Sequence, residues 1–562
     1  MNRYKLIIIF ACLSLALSAQ DGYLNINRND KSGFATSLAN VDSMWIGPDN
    51  ASVLIGVNGK QTARFSIGST QDITIGSKSY WAIDSIGRNS ISKTISDYTI
   101  RDYTQVAEPG YDEDAIDASD YYDDFGTKNA ATFTITYNGN TASLDKTNIS
   151  SDVKITMDGA HVTIITKKKT KLYLKGETHD GSLNILTTNG DTDNKKLWIV
   201  LSNVSITNPN GPALNIQSSK SVYLQLGKNT SNTLQDGATY TAQTGIDQKG
   251  TLFSEGQLLF HGSGSLTVNS LGGHGICSDD YIRFRADLGT ININSFKDGI
   301  NTKDKFIMYG GNLGITSSSD GITVRRGKIS IYGGQININS VDDGLVSDYT
   351  GPDTAGIVIA GGYAKITTTG PKGHAVSTTG KLTVTGGAIE TDVIGNASKC
   401  ISATSDITIL GGKFKLTAKG TSIYDDEEKE FSSAAGIRTR SNLFITNGEI
   451  TILSTGDGSK GINTDGTTTI TGGTIYIENK GATYTNNDNT VNARAFDSSS
   501  LVISQTPALY LGAATTSMHI TTDLIMDGGT VYSYSDSDQS KSLNVKGNIL
   551  QTQGLLFYGK SE

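Results

Sequence analysis

Asp298, Asp320 and Asp343 each stand immediately before a glycine, 22 and then 23 residues apart. If one such interval is one turn of a repeating structure, the three carboxylates form a column at the ~4.8 Å spacing of paired strands. Two unit charges at that distance repel by about 1 kcal/mol in water and about 3.5 kcal/mol at an effective dielectric of 20. A cation relieves the repulsion, and hard carboxylate oxygens on a rigid frame suit Ca²⁺. Asp342, beside the third member, adds a further acid. The competing explanation is local, because Asp-Gly is a common turn dipeptide whose side chain bonds nearby backbone.

A second column lies five residues after the repeat glycine. Asp280 and Asp304 occupy it, Arg326 takes the same phase in the following turn, and Lys303 and Arg325 stand one residue earlier. An acidic sugar polymer carries one carboxylate per residue, so these cations could grip it directly while calcium bridges to it. A lyase needs the same equipment: calcium to acidify the proton beside the carboxylate, and Arg326 or Lys303 as the base. The bland alternative is an Asp304–Arg326 ion pair on a solvated face. A third pair, Tyr309 and Tyr332, is 23 residues apart and precedes paired glycines. Exposed, these rings would stack on sugar faces; turned the other way, they form a short aromatic ladder. The metal candidates are thus Asp280, Asp298, Asp304, Asp320, Asp342 and Asp343. The sugar-contacting candidates are Lys303, Tyr309, Arg325, Arg326 and Tyr332, and no catalytic residue is assigned. The six histidines show no metal-ligand spacing, although His274 and His374 fall at the repeat corner.

What must position these residues is a repeat. Glycine followed by an aliphatic recurs at Gly275-Ile276, Gly299-Ile300, Gly321-Ile322 and Gly344-Leu345, and paired glycines run alongside at 310–311, 333–334, 361–362 and 386–387. Between them sit short alternating runs such as Gln335-Ile336-Asn337-Ile338, which read as half-buried strands. Glycine at fixed phase supplies tight corners of positive φ. Three short strands and three corners every 22–25 residues describe one coil of a parallel β-helix. A propeller needs a period nearer 40 and antiparallel hairpins.

Composition agrees. Gly is 64 of 562 residues and Pro only 7, which excludes collagen and Pro-rich disorder. A net charge of −8 gives no footprint for a phosphate backbone, so nucleic acid is not the expected partner. The start of the chain, a basic Asn2-Arg3-Tyr4-Lys5 followed by apolar Leu6 to Leu17, has the pattern of a signal peptide over 1–19. Export without a lipid anchor at Cys12 is expected, leaving a secreted or cell-surface monomer. No later run reaches the ~20 apolar residues of a transmembrane segment. Cys277 and Cys400, which the register sets about five coils apart, are not expected to bridge.

The segment Leu197 to Gly237 (LWIVLSNVSITNPNGPALNIQSSKSVYLQLGKNTSNTLQDG), with the glycine repeats after it, resembles a family of secreted bacterial carbohydrate-binding β-helix proteins. The resemblance covers roughly residues 120–480; residues 500–562 fit loosely and 20–95 not at all. It implies an all-β fold, a right-handed parallel β-helix similar to pectate lyases. It also implies calcium-associated binding of cellulose and acidic plant polysaccharides such as pectin, without established catalysis. The alternatives are a pectate-type lyase and a structural rod or adhesin that binds no sugar. The expected organisation is a small β module over 20–95, an acidic linker over 96–130 and the β-helix over 131–562.

Overall fold

The computed structural model describes residues 23–28, 33–37, 41, 43–48, 51–57, 60–76, 88–108, 130–149, 151–187, 196–218, 221–349, 351, 355–537 and 541–560. The expected signal peptide, Cys12 and the acidic run at 112–125 lie outside the described residues. Apart from helix α1 (Arg88–Asp97) and a 3-10 turn at Ile67–Ser69, the described elements are strands. No described helix is long and apolar enough to cross a membrane. The chain forms two compact units, Met1–Ile100 with Val393–Glu562, and Arg101–Asp392.

The unit Arg101–Asp392 opens with an antiparallel hairpin, Ala131–Asn138 against Thr141–Asn148, and then winds as a parallel β-helix. Its strands form three stacks. Stack A contains His274–Ser278, Ile300–Thr302, Ile322–Val324, Leu345–Ser347 and Val376–Thr378. Stack B contains Tyr281–Phe284, Lys305–Met308, Lys328–Ile331 and Gly356–Ile359. Stack C contains Thr290–Ser295, Asn312–Ser317, Gln335–Ser340 and Tyr363–Thr368. Each strand pairs in parallel with its counterpart one coil on, so Ile276, Ile300, Ile322, Leu345 and Val376 form one inward column. All five are fully buried, and each such side chain stabilises the fold by about 1.5–3 kcal/mol. On stack C burial alternates residue by residue, which is why its sequence reads as Ile-Asn-Ile-Asn.

The glycines divide into two kinds. A Cβ on Gly299 would meet Ile315 Cγ2 at 2.4 Å, so the single glycine before each stack A strand is there for close approach. Positive φ belongs to the second of the paired glycines, as at Gly311 (+87°) and Gly334 (+82°). The expectation of left-handed corners therefore holds for the pairs and not for the single repeat glycines.

In the other unit, Tyr23–Arg28 pairs with Gly33–Ser37 and Thr70–Gly76, and Ser52–Val57 pairs with Ser43–Ile46 and Lys60–Ser66. This N-terminal module joins Ile549–Lys560, the last of the described strands: Gly33 pairs with Leu555, and Arg64 with Leu550. Parallel coils make up most of the rest, with antiparallel hairpins at Ile423–Ser432 and Tyr484–Val491, and along one side of the coils Tyr476, Tyr510, Tyr532 and Phe557 stack at centroid spacings of 4.5, 5.1 and 4.8 Å. Helix α1 packs Ile91 and Ile95 against Tyr534 beside that stack. Cys277 and Cys400 are buried and not joined in a disulfide.

Candidate functional site

The three candidate constellations occupy three different corners of the coil. The Asp column lies at the corner between stacks C and A, in the register the spacing implies. It is longer than the sequence reading allowed, because His274 and His374 bracket it. The Asp320 N–H donates to Asp298 Oδ1 at 3.4 Å, the Asp343 N–H to Asp320 Oδ1 at 2.9 Å, and the His374 N–H to Asp343 Oδ1 at 2.6 Å. At the other end His274 Nδ1 stands 3.4 Å from Asp298 Oδ2, within ion-pair range. The second oxygens turn onto stack A, where Asn301 donates to Asp298 at 2.7 Å and Thr323 to Asp320 at 3.1 Å. Each carboxylate thus caps the backbone of the next coil, which is the local Asp-Gly explanation extended across coils.

That capping does not balance the charge. Burial, and then the charge of Asp298, push the Asp320 carboxyl up to about 6. Burial pushes Asp343 up to about 7 together with Asp320 and Asp342, against the hydrogen bond from His374. Asp298 goes the other way: burial opposes it, yet His274 and Asn301 hold it down at about 2. Among the described residues no group of three or more His, Cys, Asp or Glu side chains converges to hold a metal ion. The carboxylates stack, with Asp342 exposed beside them. Their fit to calcium is that of an open, undercompensated column of hard oxygens and not of a closed cage.

The sequence reading missed what stands next to this column. The first residue after successive stack C strands gives Leu271, Phe296, Ser318 and Val341, aligned by backbone hydrogen bonds from one coil to the next. Phe296 is 59% exposed, and Leu271 and Val341 are also exposed large apolar side chains. The available signal was an aromatic three residues before a repeat glycine, outside the strand alternation. Phe296 is two residues from Asp298, so an apolar ring and a carboxylate column share one corner.

The second constellation lies at the opposite end of stack A. Register is as expected: the Asp304 N–H bonds Asp280 O at 2.9 Å, and the Arg326 N–H bonds Lys303 O at 2.7 Å. The Asp304–Arg326 ion pair, the bland alternative, is absent among the described residues. Arg325 instead reaches Asp279 at 2.8 Å, and Asp279 is also paired with Lys249. Asp279 was overlooked because only the neighbouring phase was followed. Burial and the charge of Asp304 push Asp280 up to about 6. The two ends of stack A share one field: the buried Cys277 thiol, pushed up to about 12 by burial, feels Arg325, Asp279, Lys249 and Asp298.

The tyrosines are at the corner between stacks B and C, where the ladder explanation fits. Tyr309 and Tyr332 stack at 4.7 Å and 9°. Tyr309 is only 5% exposed and has the Arg283 guanidinium 5.2 Å from its ring centroid, so neither ring face is open to a sugar. Residues 101–108, expected to belong to a solvated linker, lie along this corner. The Val106 N–H bonds Tyr332 O at 2.8 Å, Thr104 O accepts from Gly362 at 2.7 Å, and Glu108 pairs with Arg283 and Arg285 at 2.8 Å each. The sugar-contacting role expected of Tyr309 is therefore corrected to packing, and Tyr332 is half-buried in the same stack.

Comparison with known proteins gives three findings. A family model described as "Carbohydrate-binding domain-containing protein" matches residues 158–379 and 357–483. No curated protein matches the chain. A solved structure, described as the polysaccharide lyase-like protein from C. thermocellum in a gadolinium derivative, is similar at 21% identity with a TM-score of 0.38, over 47% of this chain and 95% of that one.

Proposed function

Since the chain belongs to the family of carbohydrate-binding domain-containing proteins, its partner is a carbohydrate, and we propose that it grips an acidic plant-cell-wall polysaccharide of the pectin type along the corner between stacks C and A. The observation that carries this reading is the pairing of Phe296, the most exposed large apolar side chain among the described residues, with the Asp298–Asp320–Asp343 column. A flat ring beside solvent stacks against the apolar face of a sugar, as aromatic residues do when one side of the partner is apolar and the other polar. A negative column by itself repels a polyuronate. Calcium resolves the conflict: Asp320, Asp342 and Asp343 would hold the ion, and the sugar carboxylates would share it. Binding then depends on calcium and requires no bond to break. The apolar start of the chain supports a place outside the cytoplasm, where such polymers are met.

Native electrophoresis through polygalacturonate tests this reading. The expected outcome is retardation in calcium, free migration in chelator, and weaker retardation of Phe296→Ala than of the parent. A zone cleared of polymer would make the protein a lyase and bring back Lys303 and Arg326 as candidate bases. Free migration in both conditions would remove acidic polymers and turn the search to cellulose.

A further inference from the structure

Lys460 begins the strand Lys460–Ile470 in the unit that contains Val393–Glu562, and its side chain is only 4% exposed. The fold does not ask for a lysine there, since the same register position holds Ala435 one coil back and Arg494 and Thr516 on the next two coils. A buried lysine is rare unless it is paired. Its one ion-pair partner among the described residues is Asp497, at 3.9 Å, and that carboxylate is already engaged. Arg494 Nη1 donates to Asp497 Oδ2 at 2.7 Å, and His519 Nδ1 stands 2.9 Å from Asp497 Oδ1. Arg494 also lies opposite Lys460 on the next coil, where like charges repel. One carboxylate thus serves an ammonium, a guanidinium and an imidazole, and the ammonium has the longest contact. Burial, and then Arg494, push the Lys460 amine down to about 7 against the pull of Asp497. Burial opposes the charge of Asp497, yet His519, Arg494 and Lys460 hold that carboxyl down at about 2, so it stays ionised.

What Lys460 fastens is a hairpin. Its Nζ donates to Asn492 O, just past the paired strands Tyr484–Asn486 and Asn489–Val491. Two strands of three residues are too little to stand alone. The other anchors at the hairpin base include the Gly458 N–H, which donates to Ala482 O at 2.8 Å, and the Ala482 N–H, which donates to Asp457 Oδ1 at 2.9 Å. The Tyr484 ring meets Phe431 of the neighbouring hairpin edge-on at 6.0 Å. Asp457, at the base, and Asp488, at the tip, are exposed, so neither gives Lys460 a buried counter-charge.

We propose that Lys460 is an acid-sensitive latch on this hairpin: the proton it takes up as pH falls is held poorly beside Arg494 and His519, and lifting Asn492 away brings water to the ammonium and frees the hairpin. A lysine in water titrates near 10.4. Above about pH 7 the closed hairpin therefore holds fewer protons than the open one, and closure strengthens as pH rises. From pH 8 to pH 6 the open population should rise about tenfold, and it should level off at lower pH. Release also separates Tyr484 from Phe431. Hydrogen exchange of the full chain, corrected for the intrinsic pH dependence of amide exchange, tests the latch. The amides of Gly458 and Ala482 should lose about tenfold in protection from pH 8 to pH 6. The amide of Gly466, bonded to Ser441 O at another corner of the same unit, should keep its protection. In Lys460→Met the change should vanish, as it should in Lys460→Ala, which repeats the residue found one coil back. Melting curves establish that both variants are folded. Equal protection of the parent at the two pH values, or parental pH dependence in either folded variant, overturns the latch. So does an equal loss at Gly466, which would mean that the whole unit opens and not the hairpin.

Discussion

The Asp column sets two demands against each other at the scale of single residues. Each carboxylate accepts a backbone N–H from the next coil, and each also carries charge that its neighbours resist. Asp320→Ala removes the acceptor of the Asp343 N–H and should cost about 1–2 kcal/mol, read from denaturant unfolding in chelator. Asp320→Asn keeps an acceptor and removes the charge. It should therefore cost little in chelator while reducing the rise in melting temperature that calcium gives; a rise equal to the parent's would exclude the site. The same charges fix a pH dependence. Burial and the neighbouring carboxylates push Asp320 and Asp343 up to about 6 and about 7 in the folded chain, from an ordinary value of 3.8. Between about pH 4 and 7 the folded chain then holds more protons than the unfolded one, and stability falls as pH rises. Asp298, held near 2, acts in the opposite sense only below about pH 4. In chelator the melting temperature should be higher at pH 5 than at pH 6.8, and calcium should flatten the difference; equal slopes with and without calcium would count against an ion at the column.

At the scale of elements, the legible parts were those written as repeats. The column of Asp298, Asp320 and Asp343 could be read because a coil has nearly constant length, and residues of one phase must then stack. The outward direction of Phe296 could not, since it stands at a corner where the two-residue alternation ends. Nor could the burial of Tyr309, which depends on residues 101–108 arriving from more than 200 positions away. That contact has no local signal, and an acidic stretch with no period gave only a solvated linker. The strap makes its own prediction. Arg283 is 1% exposed and pairs with Glu108, so Glu108→Ala should destabilise the Arg101–Asp392 unit by about 3 kcal/mol. Hydrogen exchange should then speed up first at the amides of Val106 and Gly362, which the strap protects. Unchanged exchange there would mean that Glu108 does not fasten it.

For the molecule as a whole, the N-terminal module answers a problem that every solenoid has at its ends. A terminal coil presents unpaired N–H and C=O groups, a ready template for another chain. Here Gly33–Ser37 and Lys60–Ser66 meet Ile549–Lys560, so the module covers the last strand. A chain lacking residues 1–76 should self-associate, and light scattering should find larger species than the parent forms at the same concentration. A truncated chain that forms none larger would mean that this edge is protected in some other way.

This pairing also has a consequence in time. Arg64 and Leu550 cannot meet until the nearly five hundred residues between them have been synthesised. Contacts this distant in sequence are slow to form, since the entropy of closing the loop is lost before the contact returns anything. The coils between them can wind by local stacking as they emerge, whereas the module must wait with its pairing edge open. The module, made well before its partner strand, is thus secured only after that strand has emerged, and until then its open edge is exposed to other chains.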